Sequence, residues 1–116
     1  MLRDEHLLRI AELKDRFYGD EMPVWSWFLI GEKPTSDPAY YAEYIRGCVH
    51  RMYEIGTIPV EPSDEAPYGY DSRRWRTMTE DEAAEDIVQA ILSTPDVFDV
   101  PVWWVARAGW TAPEHW

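Results

Sequence analysis

Histidine and carboxylate side chains are the first candidates for chemistry in this chain, because histidine is the usual base and metal ligand. His50 and Glu54 are four residues apart in a predicted helix and share one of its faces, with Glu43 about two turns away. No second histidine and no cysteine lies at a recognised metal-ligand spacing from them, since His6 and His115 are near the two ends. We therefore interpret this face as a solvated helix surface and predict no metal site.

The nucleophilic side chains lie in settings that do not favour catalysis. Cys48, the single cysteine, falls between Ile45 and Met52 in an apolar helical stripe, where nothing lowers the pKa of a thiol. No serine lies in a Gly-x-Ser-x-Gly elbow, and the six glycines form neither a Walker loop nor a Gly-x-Gly-x-x-Gly fingerprint. The sequence therefore predicts a protein that is not an enzyme and has no catalytic residues and no cofactor.

Two stretches of the chain carry acids without any opposing lysine or arginine. They contain Glu54, Glu61, Asp64, Glu65 and Asp71 in the first stretch, and Glu80, Asp81, Glu82, Glu85, Asp86, Asp96 and Asp99 in the second. If both face the same side, they form a strongly negative surface that steers a basic partner and speeds its encounter with the chain. The alternative is that these acids complement helix dipoles and keep the chain soluble.

A basic cluster, Arg73, Arg74, Trp75 and Arg76, lies between the two acidic stretches. We favour the interpretation that it pairs with Asp71 and with the acids of the predicted third helix inside the monomer. The alternative is that it anchors a partner, because arginine and tryptophan dominate interface hot spots. The chain also contains seven tryptophans and seven tyrosines, more than a core of this size is expected to hide, so some aromatic surface is expected to bind a partner.

These features predict a small acidic protein that binds another protein with a basic surface and inhibits or regulates it. A nucleic-acid-handling target fits best, as for phage-type inhibitors and immunity-like proteins, and a sharper form is mimicry of nucleic acid by carboxylates that occupy a groove built for phosphates. The candidate partner-binding residues are Asp64, Glu65, Tyr68, Tyr70, Asp71, Trp75, Asp81, Glu82, Glu85 and Asp86.

Two other classes of function remain open. The first is a small enzyme or ligand binder with an aromatic pocket lined by Trp25, Trp27 or Trp103, in which His50 or a carboxylate acts as the base. The second is a structural or assembly component that forms a homo-oligomer through its second apolar strand. A closed pocket containing His50 would favour the enzyme, whereas a convex acidic face with protruding aromatic side chains would favour the protein binder.

Composition limits the class of protein and its partners. With 116 residues, 46% of them hydrophobic, the chain fits a single acidic globular domain over residues 1–116. A net charge of -11 disfavours direct binding to nucleic acid or to anionic membranes, which requires clustered cations. No run of 18 apolar residues and no secretory signal is present, and one cysteine permits no internal disulfide. We expect a cytoplasmic monomer or homodimer.

Apolar runs predict two strands. Residues 22–31 form the longest unbroken run of large apolar residues and are predicted to be the central strand, with apolar side chains on both faces. Residues 100–106 are predicted to pair with this strand or to lie near it. Thr57 to Val60 are predicted to form a short edge strand, because proline is tolerated at sheet edges. Residues 61–78 are predicted to form an ordered loop packed through its own aromatic side chains.

Three helices are predicted from periodicity and capping. The first spans residues 3–18, with Leu7 among its core positions and Gly19 as its stop. The second begins at Asp37 and Pro38 and ends at Gly56, and its buried stripe contains Tyr41, Ile45, Cys48, Met52 and Ile55. The third begins after a capping box made by Thr79 and Glu82. The predicted fold class is α+β, with three helices packed on a two- to three-stranded sheet.

Overall fold

A computed structural model describes residues 2–17, 21–28, 37–65 and 69–106 of the chain. The helices and strands, in chain order, are α1 (Asp4–Arg16), β1 (Glu21–Pro23), α2 (Pro38–Glu54), β2 (Thr57–Pro62), β3 (Tyr70–Asp71), α3 (Arg73–Arg76), α4 (Glu80–Ser93) and β4 (Trp103–Ala106). Two 3-10 helices, Val24–Trp27 and Val97–Asp99, precede α2 and β4 respectively. The four strands form one antiparallel sheet in the order β1-β4-β2-β3. The predicted α+β class is confirmed, with one more strand than expected.

Helix α2 forms as predicted. The Asp37 carboxylate accepts a hydrogen bond from the Tyr40 amide at 3.3 Å, and Pro38 occupies the first helical position, where its missing N–H is not needed. The stripe at steps of three and four is buried from Tyr41 through Met52. Gly56 follows the helix with a φ of 92°, a backbone conformation that favours glycine at the end of a helix.

Helix α4, the predicted third helix, also begins where expected. The Glu82 amide donates to the Thr79 hydroxyl at 3.2 Å, and the Thr79 amide donates to the Glu82 carboxylate at 2.9 Å, so the capping box is complete. The buried face comprises Ala83, Ala84, Ile87, Val88 and Ile91.

The prediction of a central strand over residues 22–31 is wrong. Only Glu21–Pro23 is a strand, and it lies at an edge of the sheet. Val24–Trp27 instead forms a 3-10 helix, and residues 29–31 lie outside the described part of the chain. In a strand, Trp25 and Trp27 would point to the same face because they are two residues apart. In a 3-10 helix, which has three residues per turn, their side chains point in different directions. Trp27 is fully buried, whereas Trp25 is 38% exposed.

Side chains from α1 and α2 explain why the chain leaves the sheet after Pro23. Arg9 and Arg16 donate to the Ser26 carbonyl oxygen at 3.2 and 2.8 Å, and Arg9 also donates to the Trp27 carbonyl at 3.0 Å. The Ser26 hydroxyl donates back to the Pro23 carbonyl at 2.8 Å. Side chains therefore satisfy the carbonyl groups of these residues, which in a central strand would accept hydrogen bonds from a neighbouring strand.

Strand β4 is one of the two inner strands of the sheet and pairs with β1 on one side and β2 on the other. Trp104 faces Met22 in one neighbour and Pro59 in the other, and its side chain is fully buried. The predicted pairing between the two apolar runs is thus confirmed. The strand from residues 22–31, expected at the centre, lies at an edge, and the strand from residues 100–106 lies inside the sheet.

Strand β2 is not the edge strand that its proline predicts. It lies between β4 and β3, and Pro59 is accommodated because β3 pairs only with Glu61 and Pro62, at the far end of β2. The backbone at Pro59 has no strand on its β3 side, so no ladder hydrogen bond is lost there.

Helix α1 is rotated relative to its prediction. Leu7, expected in the core, is 49% exposed, whereas His6 and Leu13 are fully buried. The helix packs on α2, where a Cβ added at Gly47 would lie 2.7 Å from the Ile10 side chain, so the two helices approach closely at this glycine. The predicted stop at Gly19 lies outside the described residues.

Substitution of the two tryptophans tests the 3-10 helix directly. Trp27→Ala removes a fully buried ring and is expected to lower the free energy of unfolding by about 3–5 kcal/mol. Trp25→Ala removes a partly exposed ring and should cost about 1 kcal/mol, because its main ring contact is a single aromatic neighbour. Urea unfolding followed by circular dichroism measures both. Equal losses would indicate that the two rings share one face, as in a strand.

Candidate protein-binding surface

Most acids of α4 are paired with basic residues elsewhere in the chain. Arg46 of α2 forms a bidentate ion pair with Glu85, in which an Arg46 terminal nitrogen donates to the Glu85 Oε2 atom at 3.1 Å. One turn later on α2, the Nδ1 atom of His50 is hydrogen-bonded to Glu80, and its Nε2 atom lies 3.5 Å from a carboxylate oxygen of Asp81. The earlier residue of α2 thus meets the later acid of α4, which is the pattern of antiparallel helices.

These contacts give the candidate base a structural role. His50 does not use Glu54, with which it shares a helix face, because Glu54 pairs with Arg51. The Arg46 guanidinium lowers the pKa of the Glu85 carboxyl below its ordinary value, and donation from the Thr79 backbone does the same for the pKa of Glu82. Both carboxylates are therefore stabilised in their charged form.

The basic cluster pairs internally, as favoured from the sequence. Arg74 donates to both carboxylate oxygens of Asp86, at 2.8 and 3.1 Å, and lies 3.8 Å from Glu61 of β2. The buried Trp75 indole donates to the same Asp86 carboxylate at 2.8 Å, with the Arg74 guanidinium 5.1 Å from its ring centroid. One arginine therefore joins the two acidic stretches at Glu61 and Asp86 and reduces their mutual repulsion where they meet.

A second local pair holds the end of β3. Arg73 donates to the Asp71 carboxylate from its backbone and its side chain at 2.6 to 3.1 Å, which lowers the pKa of Asp71 below its ordinary range. The Tyr70 hydroxyl donates to Glu21 of β1 at 2.5 Å. Burial and this neighbouring carboxylate together raise the pKa of Tyr70 to about 12.

The ten predicted partner-binding residues therefore divide into three groups. Glu82, Glu85, Asp86, Asp71 and Tyr70 are engaged in the contacts described above. Trp75 is only 2% exposed and contributes its ring to the core, and Tyr68 lies outside the described residues. Asp64, Glu65 and Asp81, which we call the outer acids, remain open to solvent.

The outer acids lie on two elements. Asp64 and Glu65 form the turn after β2, and their carboxylates make no hydrogen bond or ion pair with any residue that the structure describes. Asp81 is in the first turn of α4, and its side chain is 90% exposed even with His50 at 3.5 Å. These three carboxylates keep their charge available to a partner.

Sequence reasoning missed two other aromatic features. His6 is fully buried, with its Nδ1 atom 2.6 Å from the Tyr40 hydroxyl and its ring 4.7 Å from that of Tyr44. The phase of the α1 apolar pattern could have indicated it, since His6 is seven residues, or about two helical turns, before Leu13 and shares its face. Trp25 and Phe98 form an exposed ring pair, which the strand interpretation of residues 22–31 hid.

The described residues include neither a metal-binding cluster nor a membrane-spanning helix. No group of three or more histidine, cysteine, aspartate or glutamate side chains there is placed to hold a metal ion. Within residues 2–17, 21–28, 37–65 and 69–106, no helix combines the length and apolarity needed to cross a membrane.

Comparison with known proteins gives no relative. The chain matches no protein family, no curated protein and no solved structure.

The α2–α4 contact is tested by a double-mutant cycle. Arg46→Ala, Glu85→Gln and the double variant should give a coupling energy of about 0.2–1 kcal/mol in urea at pH 7, because both side chains are about half exposed. Because the pKa of Glu85 is lowered, its ion pair contributes fully to stability above pH 4.5, the ordinary glutamate value. This contribution is lost as the pH falls through the lowered pKa. Wild type and Glu85→Gln should therefore converge once the pH has fallen below the lowered pKa of Glu85, and a gap that does not narrow as the pH falls would contradict the ion pair.

Substitution of Asp86 tests whether this acid stabilises the fold. Asp86→Ala leaves the buried Trp75 indole N–H without an acceptor, so it should lower the free energy of unfolding by about 1–3 kcal/mol. Asp86→Asn keeps an acceptor oxygen and is the matched control, with a smaller loss. Thermal unfolding measures both, and equal stability of Asp86→Ala and wild type would refute this role.

Proposed function

We propose that this chain is a non-enzymatic acidic protein that binds another protein with a basic surface and regulates it. The observation that supports the proposal most directly is the set of outer acids. While the acids nearest to Arg46, His50 and Arg74 are paired within the chain, Asp64 and Glu65 are exposed at the end of β2, where Glu65 interacts with Arg73 only through the longer-range attraction of their charges.

Long-range steering is the first contribution of this charge. A net charge of -11 on a 13.7 kDa chain produces a negative field that attracts a basic partner and raises its association rate. Screening confines this attraction to about 8–10 Å at physiological salt, so the outer acids, which protrude, contribute most at close approach. The association rate is accordingly expected to fall as salt rises.

A nucleic-acid-handling protein is the target class that fits this chemistry. Its groove for phosphates carries clustered lysines and arginines, and carboxylates presented at the surface can occupy the same positions. The proposed mimicry uses Asp64, Glu65 and Asp81, because Glu85 and Asp86 are committed to Arg46 and Arg74. Such binding would exclude nucleic acid from the groove and so inhibit the target.

Charge reversal restricted to the turn after β2 tests this proposal. Asp64→Lys with Glu65→Lys changes the net charge from -11 to about -7, and Glu12→Lys with Asp15→Lys on the exposed side of α1 changes it equally. We expect the wild type and the α1 variant to capture the same basic proteins from a nuclease-treated lysate of the source organism. Capture by the turn variant should fall roughly tenfold, as expected when attraction is replaced by like-charge repulsion.

The result that contradicts the proposal is equal capture by the two double variants, because the location of the charge would then not matter. Quantitative mass spectrometry of the captured proteins supplies the comparison. Mimicry is tested separately with the captured target: double-stranded DNA should displace it from the wild-type chain, and simultaneous binding of both would show that the chain does not occupy the phosphate groove.

A further inference from the structure

Trp25 and Phe98 form an aromatic pair on the surface. Their ring centroids are 5.1 Å apart, and the rings are tilted by 40°. Phe98 is 67% exposed and Trp25 is 38% exposed, the two aromatic residues among the large apolar side chains that the described structure leaves open to solvent. A pair of rings that remains exposed although the core holds other tryptophans requires an explanation from function.

The sheet brings these two rings together. Trp25 lies in the 3-10 helix that follows β1, and Phe98 lies in the segment that leads into β4, the antiparallel neighbour of β1. The Val24 amide donates to the Val102 carbonyl at 3.2 Å, so the pairing continues one step beyond the strands. Both 3-10 helices therefore lie at the same end of the β1–β4 pair.

Hydrogen bonds hold the segment that carries Phe98 in one conformation. The Phe98 amide donates to the Asp96 carboxylate at 3.0 Å, and the Asp99 amide donates to the Asp96 carbonyl at 2.9 Å. On the other side, Arg9 and Arg16 bind the carbonyl groups of the Trp25 helix. A rigid aromatic surface loses little conformational entropy on binding, which favours affinity.

The Phe98 side of the ring pair is negative. Asp96 and Asp99 flank Phe98, both are exposed, and no lysine or arginine occurs between Thr77 and Ala106. The Asp99 carboxylate makes no hydrogen bond or ion pair with any residue that the structure describes. Arg9 and Arg16 lie on the other side, where their guanidinium groups donate to the carbonyls of Ser26 and Trp27 next to Trp25 and keep their positive charge.

We propose that the Trp25–Phe98 pair, with the exposed Asp99 next to Phe98 in the sequence, is the anchor for an arginine side chain of a partner protein; this rests on the function proposed above and names its contact. A planar guanidinium stacks on an aromatic face and at the same time donates to a carboxylate. Neutral apolar side chains would gain only the ring contact, whereas lysine would lack the planar stacking surface.

Self-association through this surface is disfavoured by the same charges. Two copies that met through their Trp25–Phe98 pairs would bring four aspartates together, Asp96 and Asp99 from each copy, on chains of net charge -11. Like charges placed opposite each other across an interface oppose association. The patch is therefore complementary to a basic partner and not to itself.

Nuclear magnetic resonance with defined peptides tests the anchor. Deca-arginine is titrated into the ¹⁵N-labelled full chain at 0.15 M salt, with deca-lysine as a probe of equal charge. The indole N–H resonance of Trp25, assigned by its loss in Trp25→Phe, and the Asp99 amide are expected to shift with deca-arginine and less with deca-lysine. Phe98→Ala should weaken deca-arginine binding about three- to fivefold, the factor for an exposed cation–π contact.

Leu8→Ala is the matched control, because Leu8 is an exposed apolar residue, at 58%, on α1. It should leave the deca-arginine affinity unchanged, and Asp99→Asn should lower it. Unfolding of a variant is excluded by comparing its remaining amide resonances with those of wild type. Equal affinity of Phe98→Ala and wild type, or equal shifts of Trp25 with the two peptides, would overturn the proposal.

The remaining outcomes separate this inference from the proposed function. Shifts confined to the amides of Asp64 and Glu65 would overturn the anchor and leave the acidic surface as the binding site. No shift anywhere in the spectrum would count against both. Concentration-dependent shifts of Trp25 without peptide would overturn the arginine anchor in favour of a second copy of the chain.

Discussion

The pairing of β4 with β1 on one side and β2 on the other determines where both candidate surfaces lie. Through β1, it places the 3-10 helix that carries Trp25 beside the segment that carries Phe98. Through β2, it leads to β3 and α3, whose Arg74 reaches Asp86 on α4. Because Trp104 is buried at the middle of this pairing, a change in its register would move both surfaces together.

Pairing within the chain determines how much of the acidic charge a partner can meet. Arg46, His50 and Arg74 hold acids of α4 against α2 and β2, so those acids hold elements together as well as repel one another. The predicted partner-binding acids that remain open lie at the turn after β2 and in the first turn of α4. A charge count from the sequence does not distinguish paired acids from open ones, because the role of each acid depends on which arginines reach it from another element.

The helices were predictable because their signals are local. Asp37 with Pro38, and Thr79 with Glu82, mark helix starts through hydrogen bonds that span three residues. The strands were not predictable to the same extent, since strands of two to six residues are defined by partners distant in sequence. Residues 22–31 were interpreted as a strand from apolarity alone, whereas the carbonyls of Ser26 and Trp27 are bound by arginines of α1. For the candidate site, the internal pairing of Arg74 was predictable from charge, but the exposed ring pair was not.

The two proposed surfaces have different physical roles in binding. Unpaired carboxylates such as Asp64 act over several ångströms and depend on salt, so they govern the rate of encounter more than the lifetime of a complex. A rigid pair of rings acts only at contact and is screened little by salt, so in the proposed complex Trp25 and Phe98 would govern the dissociation rate. If both surfaces meet one partner, mutations in the first should alter the association rate and its salt dependence, and mutations in the second should alter the dissociation rate. This separation of rates follows from the range of each force, and it holds for any basic partner, whatever the partner does.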